Sequence, residues 1–213
     1  LAGVAILALV LALTHSLWLR VLAWPLVADE TPPARYTAVV LYADPSLDAA
    51  VAAHATGAAR RVLVVGWAPG RLEKLGVVPP GPAAVRAELL RRGVPATDLE
   101  LLAGEPHDLW EVADKLAMWL AEHPDDEVAV YVSRLRSRRV GRILSKVLGD
   151  RRDRAHVIAL ADPEYDENNW WRSKPGALDF CEAWTRLAYG TLHGRPPPPT
   201  PDFDPDAFER GLR

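Results

Sequence analysis

The densest concentration of potential chemistry is the run Ser133-Arg134-Leu135-Arg136-Ser137-Arg138-Arg139, which places four arginines where the pattern predicts a helix to begin. Cations at a helix N-terminus oppose its dipole, at roughly 0.3–1 kcal/mol each when close. The free backbone amides of that turn favour an anion on their own account. Ser133, Arg134, Arg136, Arg138 and Arg139 are therefore candidates for holding a phosphate or carboxylate, which arginine can clamp bidentately. The competing reading is a solvated basic edge, or pairing with Asp162, Glu164 and Asp166 on a neighbouring loop.

The other candidates each carry two readings. His107 and Asp108 are adjacent and could form an acid–base pair, or Asp108 could cap the helix that follows. Asp44, before Pro45, could be a general base or a turn residue. Asp162 completes the set of candidate acid–base groups. Gly66 and Trp67 end a predicted strand where a ligand would approach. Trp170 and Trp171 could form a lid, with Trp171 touching ligand, or could pack the last helix. The six histidines are scattered and Cys181 is the single cysteine, so no metal site and no internal disulfide are expected.

The elements that must position these groups follow from periodicity. Thr37 to Tyr42, Arg61 to Gly66, Leu99 to Leu102, Glu127 to Val132 and His156 to Leu160 are short apolar runs, as buried parallel strands should be. Helical patterns fall between and after them: Leu47 to Thr56, Ala83 to Arg92, Asp108 to Glu122, Ser137 to Leu148 and Pro175 to Leu192. Arg71 to Pro82, rich in Gly and Pro, reads as a loop. This alternation predicts a Rossmann-like α/β three-layer sandwich around a mainly parallel five-stranded sheet, over 36–194. In such sheets ligands bind at the carboxyl ends of the strands. Neither the first nor the second strand is followed by a GxGxxG turn, so dinucleotide binding has no motif behind it.

The N-terminal segment differs. Leu1 to Leu13 is wholly apolar and the first charge is Arg20. Nineteen uncharged residues would span roughly 28 Å as a helix, close to the thickness of a bilayer's hydrocarbon. Residues 1–24 are expected to form a transmembrane anchor, with Trp18, Arg20 and Trp24 at one interface. A removed signal peptide and a buried first helix are the competing readings. Residues 25–35 read as a linker, and 195–213, with Pro196 to Pro199, as a flexible tail. The extracytoplasmic side is the expected location of the domain. A net charge of −3 over 213 residues argues against general nucleic-acid binding.

At these residues the chain resembles the YdcF/SanA/ElyC-like proteins of bacteria. The likeness lies in Leu26-Val27-Ala28-Asp29, Arg91-Arg92-Gly93-Val94-Pro95, the arginine run from Ser133 to Arg139, and Trp170-Trp171-Arg172-Ser173-Lys174-Pro175-Gly176. The resemblance implies a membrane-anchored Rossmann-like protein with a role in the cell envelope, linked to lipid-carrier or peptidoglycan metabolism. It brings S-adenosylmethionine as a possible cofactor. It also exposes departures. Where the family has small turn residues this chain has Tyr42-Ala43-Asp44 and Gly66-Trp67. Ala83 stands for a glutamate, Asp108 and Leu109 for hydroxyl residues, and Arg136 for a histidine. Binding of an anionic ligand, such as a polyprenyl phosphate or a nucleotide-like molecule, at the strand ends is the leading expectation. A hydrolase or transferase acting on a phosphorylated substrate, and a non-catalytic scaffold, are the alternatives.

Overall fold

Strand residues whose side chains are buried on both faces need a layer of helix on each side, and that is the arrangement found. The computed structural model describes residues 14–41 and 46–197. Its strands are β1 (Tyr36–Val40), β2 (Ala59–Val65), β3 (Leu99–Leu102), β4 (Val128–Ser133) and β5 (Ala155–Leu160). All pairings are parallel, in the order β3-β2-β1-β4-β5. The order reverses between β1 and β4, which makes their carboxyl ends the switch point of the sheet. Asp44 lies outside the described residues.

A helical stretch over 14–23, called α1, leads through a 3-10 turn at Trp24–Leu26 towards β1. The remaining helices are α2 (Ser46–Ala55), α3 (Arg71–Lys74), α4 (Gly81–Arg91), α5 (Leu109–Glu122), α6 (Ser137–Leu148) and α7 (Lys174–Leu192). The period-2 geometry of β1 divides the core. Val39 and Leu41 face the layer of α5 and α6, together with Leu116, Leu120, Ile143 and Leu144. Ala38 and Val40 face α2 and α4, with Leu47, Ala50 and Leu89. Each fully buried Val or Leu contributes on the order of 1.5–3 kcal/mol. The stretch expected as a loop, Arg71 to Pro82, contains α3. Glu73 closes that turn by accepting from the Gly70 amide at 2.8 Å and reaching over to the Gly81 amide at 2.6 Å.

The last helix, α7, packs away from the sheet, in a separate cluster with the N-terminal segment. Ala23, Leu26, Leu135, Trp170, Ala183 and Leu187 are its buried members. The linker is tied down. Asp29 accepts from the Ala159 amide at 3.0 Å and Glu30 from the Val157 amide at 2.9 Å, so side chains cover the open edge of β5. Ser137, fully buried, accepts from the Ala28 amide at 2.8 Å and donates to the Arg134 carbonyl at 2.7 Å. No helix among the described residues is long and apolar enough to cross a membrane. Leu1 to Leu13, most of the expected span, and the tail from 198 lie outside the described residues.

Candidate functional site

The arginine run divides at the first turn of α6. Arg134 and Arg136 sit in the 3-10 turn before it and point towards carboxylates. Arg134 donates to Glu167 at 2.6 Å and lies 3.6 Å from Asp29. The hydrogen bond that Arg134 donates to Glu167, outweighing burial, pushes the Arg134 guanidinium pKa further up. Arg136 donates through Nε to Asp179 at 2.7 Å and through Nη2 to Glu182 at 3.1 Å. Asp179 is buried, 6% exposed, and also accepts from Tyr165 at 3.3 Å and Ser133 at 3.5 Å. Burial, followed by the charge of Asp179, pushes the Tyr165 hydroxyl up to about 12. Internal pairing was one expected reading of these arginines, but the partners differ. Asp162 accepts from the Glu164 amide at 2.9 Å and closes its own turn.

The structure does not bring His107 and Asp108 together as an acid–base pair. Asp108 caps α5, accepting from the amides of Trp110 at 2.8 Å and Glu111 at 2.9 Å. Exposed His107 has its ring 3.3 Å from Glu111 instead. The backbone amide of His107, more than its ring, holds the Glu111 carboxyl below its ordinary range. The local reason is geometric: the carboxylate of an N-cap residue turns into the first turn of the helix, away from its predecessor.

At the strand ends, Trp67 donates from its indole to the Leu41 carbonyl at 2.6 Å and packs against the α5–α6 side of the core. A Cβ on Gly66 would meet Leu101 at 3.3 Å, so the strand end is closely packed. Where the resemblance expects small turn residues after the second strand, an indole therefore stands. A cavity of about 510 Å³ remains on the α2–α4 side of β1 and β2. Glu73, Glu88 and Arg92 are its charged lining. Glu73 already occupies the Gly81 amide at the start of α4, where an anion would otherwise be favoured. The tryptophan pair packs rather than covers. Trp170 is buried, stacks on Phe180 at 3.6 Å between ring centroids, and donates to the Leu19 carbonyl at 3.2 Å. Trp171 lies edge-on to Trp170 and to His15. The two rings thus join α7 to α1, not to the sheet.

Arg138 and Arg139 belong to a different site. They line a cleft of about 750 Å³ along α6, with Arg142, Lys146, Arg152 and Arg186. Among the described residues, Glu30 is its one acidic lining residue. Arg152 pairs with Glu30, and Arg186 with Glu182 at 2.6 Å. The partners of three cations are neutral. Arg138 donates to the carbonyls of Pro25, at 3.3 Å, and Val27, at 2.6 Å. Arg142 donates to the Thr191 hydroxyl at 2.8 Å. Lys146 sits over the Trp110 ring, 5.7 Å from its centroid. Arg142, Lys146, Arg152 and Arg186 are not among the residues expected to hold a ligand. A signal was present: 138, 142 and 146 recur at i, i+4, i+8 and so share one helix face. Among the described residues, no group of three or more His, Cys, Asp or Glu could hold a metal ion.

Compared with protein-family models, curated proteins and solved structures, the chain matches none.

Proposed function

We propose that the chain is a divergent, membrane-attached relative of the YdcF/SanA/ElyC-like proteins that binds a phosphorylated anion and does not transform it. The ligand lies in the cleft along α6. The observation that carries this reading is the charge imbalance there: among the described residues, six cations and one carboxylate line the cleft. Arginine and lysine whose partners are a carbonyl, a hydroxyl and an aromatic face still attract an anion, and a phosphate would add charge-assisted hydrogen bonds. The volume suits a pyrophosphate or a nucleotide-sized group. At the strand ends, by contrast, an anion would have to displace Glu167 from Arg134 and Asp179 from Arg136.

Hydrolysis or group transfer has less support. Of the candidate acid–base groups Asp44, His107 and Asp162, the two among the described residues, His107 and Asp162, do not line the cleft. The one hydroxyl on its α6 wall, Ser145, donates to the Gly141 carbonyl at 2.8 Å and accepts from Arg152 at 3.0 Å, so its hydrogen bonds are already made within the fold. Membrane attachment rests on the apolar N-terminal run, and a role in the cell envelope, on the extracytoplasmic side, rests on the resemblance.

The test is titration calorimetry of the full chain in detergent with inorganic pyrophosphate, a nucleoside diphosphate and a prenyl phosphate. At least one should bind, and binding should weaken as salt rises between about 50 and 200 mM. Arg142→Ala with Lys146→Ala should lower affinity about tenfold or more, since each lost charge-assisted contact is worth roughly 1.5 kcal/mol or more. His107→Ala should leave it unchanged. Equal affinity in the double variant and the parent would remove the cleft as the site.

A further inference from the structure

The cleft does not stand alone on its surface. Immediately before it in the chain, α1 buries one side against α7 and exposes the other. Its inner side is fixed by Trp170 donating to the Leu19 carbonyl and Trp184 donating to the Leu22 carbonyl at 3.0 Å. Its outer side presents Leu17, Trp18, Val21 and Leu22, all exposed, at the i, i+1, i+4, i+5 spacing of a single helix face. Trp24 continues it at 75% exposure. The next residue, Pro25, lines the basic cleft, and its carbonyl is held by Arg138. An exposed apolar helix face thus runs into a cation-rich hollow without an intervening acidic side chain: from Leu17 to Val27 the only charged residue is Arg20.

We propose that this combined face docks on an anionic lipid bilayer, with α1 lying along the interface and the α6 cleft receiving the phosphate of an acidic lipid headgroup. This rests on the reading of the cleft as a phosphate site and names the source of the phosphate. Each half of the face supplies what the other lacks. Leu17, Val21, Leu22 and Trp24 enter the boundary between headgroups and acyl chains, where an amphipathic helix gains by burying its apolar side. Trp18 and Trp24 suit that boundary because indole is apolar in body and polar at its N–H. Arg138, Arg142 and Lys146, whose partners are neutral, meet the negative surface potential of acidic lipids. A soluble phosphate would use the cations and leave the apolar face in water. A neutral bilayer would cover the apolar face and leave the cations without counter-charge. An anionic bilayer alone satisfies both.

The experiment is vesicle flotation of the full chain, on phosphatidylcholine and on phosphatidylcholine containing about 30 % phosphatidylglycerol. Partitioning should be at least about tenfold stronger on the anionic vesicles, because several cations near the surface each add to it. Arg142→Glu with Lys146→Glu should reduce it to the level on neutral vesicles, and the milder Arg142→Gln with Lys146→Gln should fall between. Val21→Glu with Leu22→Glu should weaken partitioning on both compositions. Thermal melts of each variant show that it is folded. Equal partitioning on the two compositions, or charge variants that behave as the parent, overturns the proposal. If the parent instead dimerises through this face, Val21→Glu with Leu22→Glu would yield a monomer with unaltered lipid binding, which also overturns it. Pyrophosphate binding that survives without any preference for anionic vesicles keeps the phosphate reading and discards the lipid. Loss of both discards both.

Discussion

Arg136 and Arg142 lie six residues apart in one basic stretch and have opposite fates. Arg136, in the turn that leads into α6, is held between Asp179 and Glu182 of α7. Arg142, in the body of α6, donates to the Thr191 hydroxyl of the same helix α7. The first is part of the structure's internal charge balance and the second faces an open cleft. Basic residues clustered in sequence therefore do not form one site. What separates them is which neighbour each turn of the helix presents, and whether that neighbour is a carboxylate. A buried carboxylate without its cation is costly, so the Arg136 side of the comparison should govern stability and the Arg142 side ligand binding.

The largest effect should come from Arg136→Ala. It strands Asp179, which is 6% exposed. Breaking a fully buried pair costs about 3–5 kcal/mol, and with the Arg136 side chain 38% exposed we expect about 2–3 kcal/mol in urea denaturation. Arg142→Ala should stay within about 0.5 kcal/mol. Similar losses at the two positions would break the comparison. Asp179→Asn in the Arg136→Ala background should recover part of the loss, as a double-mutant cycle would register.

Next in size is Gly176→Ala, which tests how firmly α7 holds Asp179 in place. A Cβ there would stand 2.5 Å from the Trp170 carbonyl oxygen, against backbone that cannot swing aside. The expected cost is about 1–3 kcal/mol by thermal or urea melting, with the α6 cleft's anion affinity little changed. A neutral result would mean that the first turn of α7 can shift freely.

The smallest effect belongs to Glu88, a more exposed counterpart of Asp179, with its side chain 30% exposed. It is bound by Arg91 and Arg92, whose hydrogen bonds pull its carboxyl down to about 2. A depressed carboxyl stabilises the fold above its ordinary value of 4.5 and loses that contribution as pH falls towards about 2. Stability curves of the parent and Glu88→Gln should therefore converge in that acidic window. Because the pair is solvent-screened, their separation at neutral pH should be small. A separation at neutral pH that rivals Arg136→Ala would show that exposure does not set the difference.

Much of this was readable in the residues. Leu99–Leu102 and Ser137–Leu148 have the expected bounds, because β-branched and leucine-rich runs, and the stripe Val140, Ile143, Leu144 and Leu148, have periods that admit one backbone geometry. Asp108 was readable as a cap for the same local reason. The short helix α3 was not, because Glu73 holds it together by reaching to Gly81, a contact outside the turn itself. Nor was the role of Trp67, since its hydrogen bond is to Leu41 on a neighbouring strand.

The sequence by itself determined the alternation of strand and helix, the two-sided burial of the sheet, and the presence of strong positive charge around α6. These depend on residue types at spacings within one segment, where the period of the backbone is known in advance. Only the tertiary structure decided which of those charges are already spent. Asp179 and Glu182 approach Arg136 from more than forty residues away. No spacing rule reaches across that distance: the encounter depends on how α7 packs against α6 and the N-terminal helix, and so does the cleft left between them.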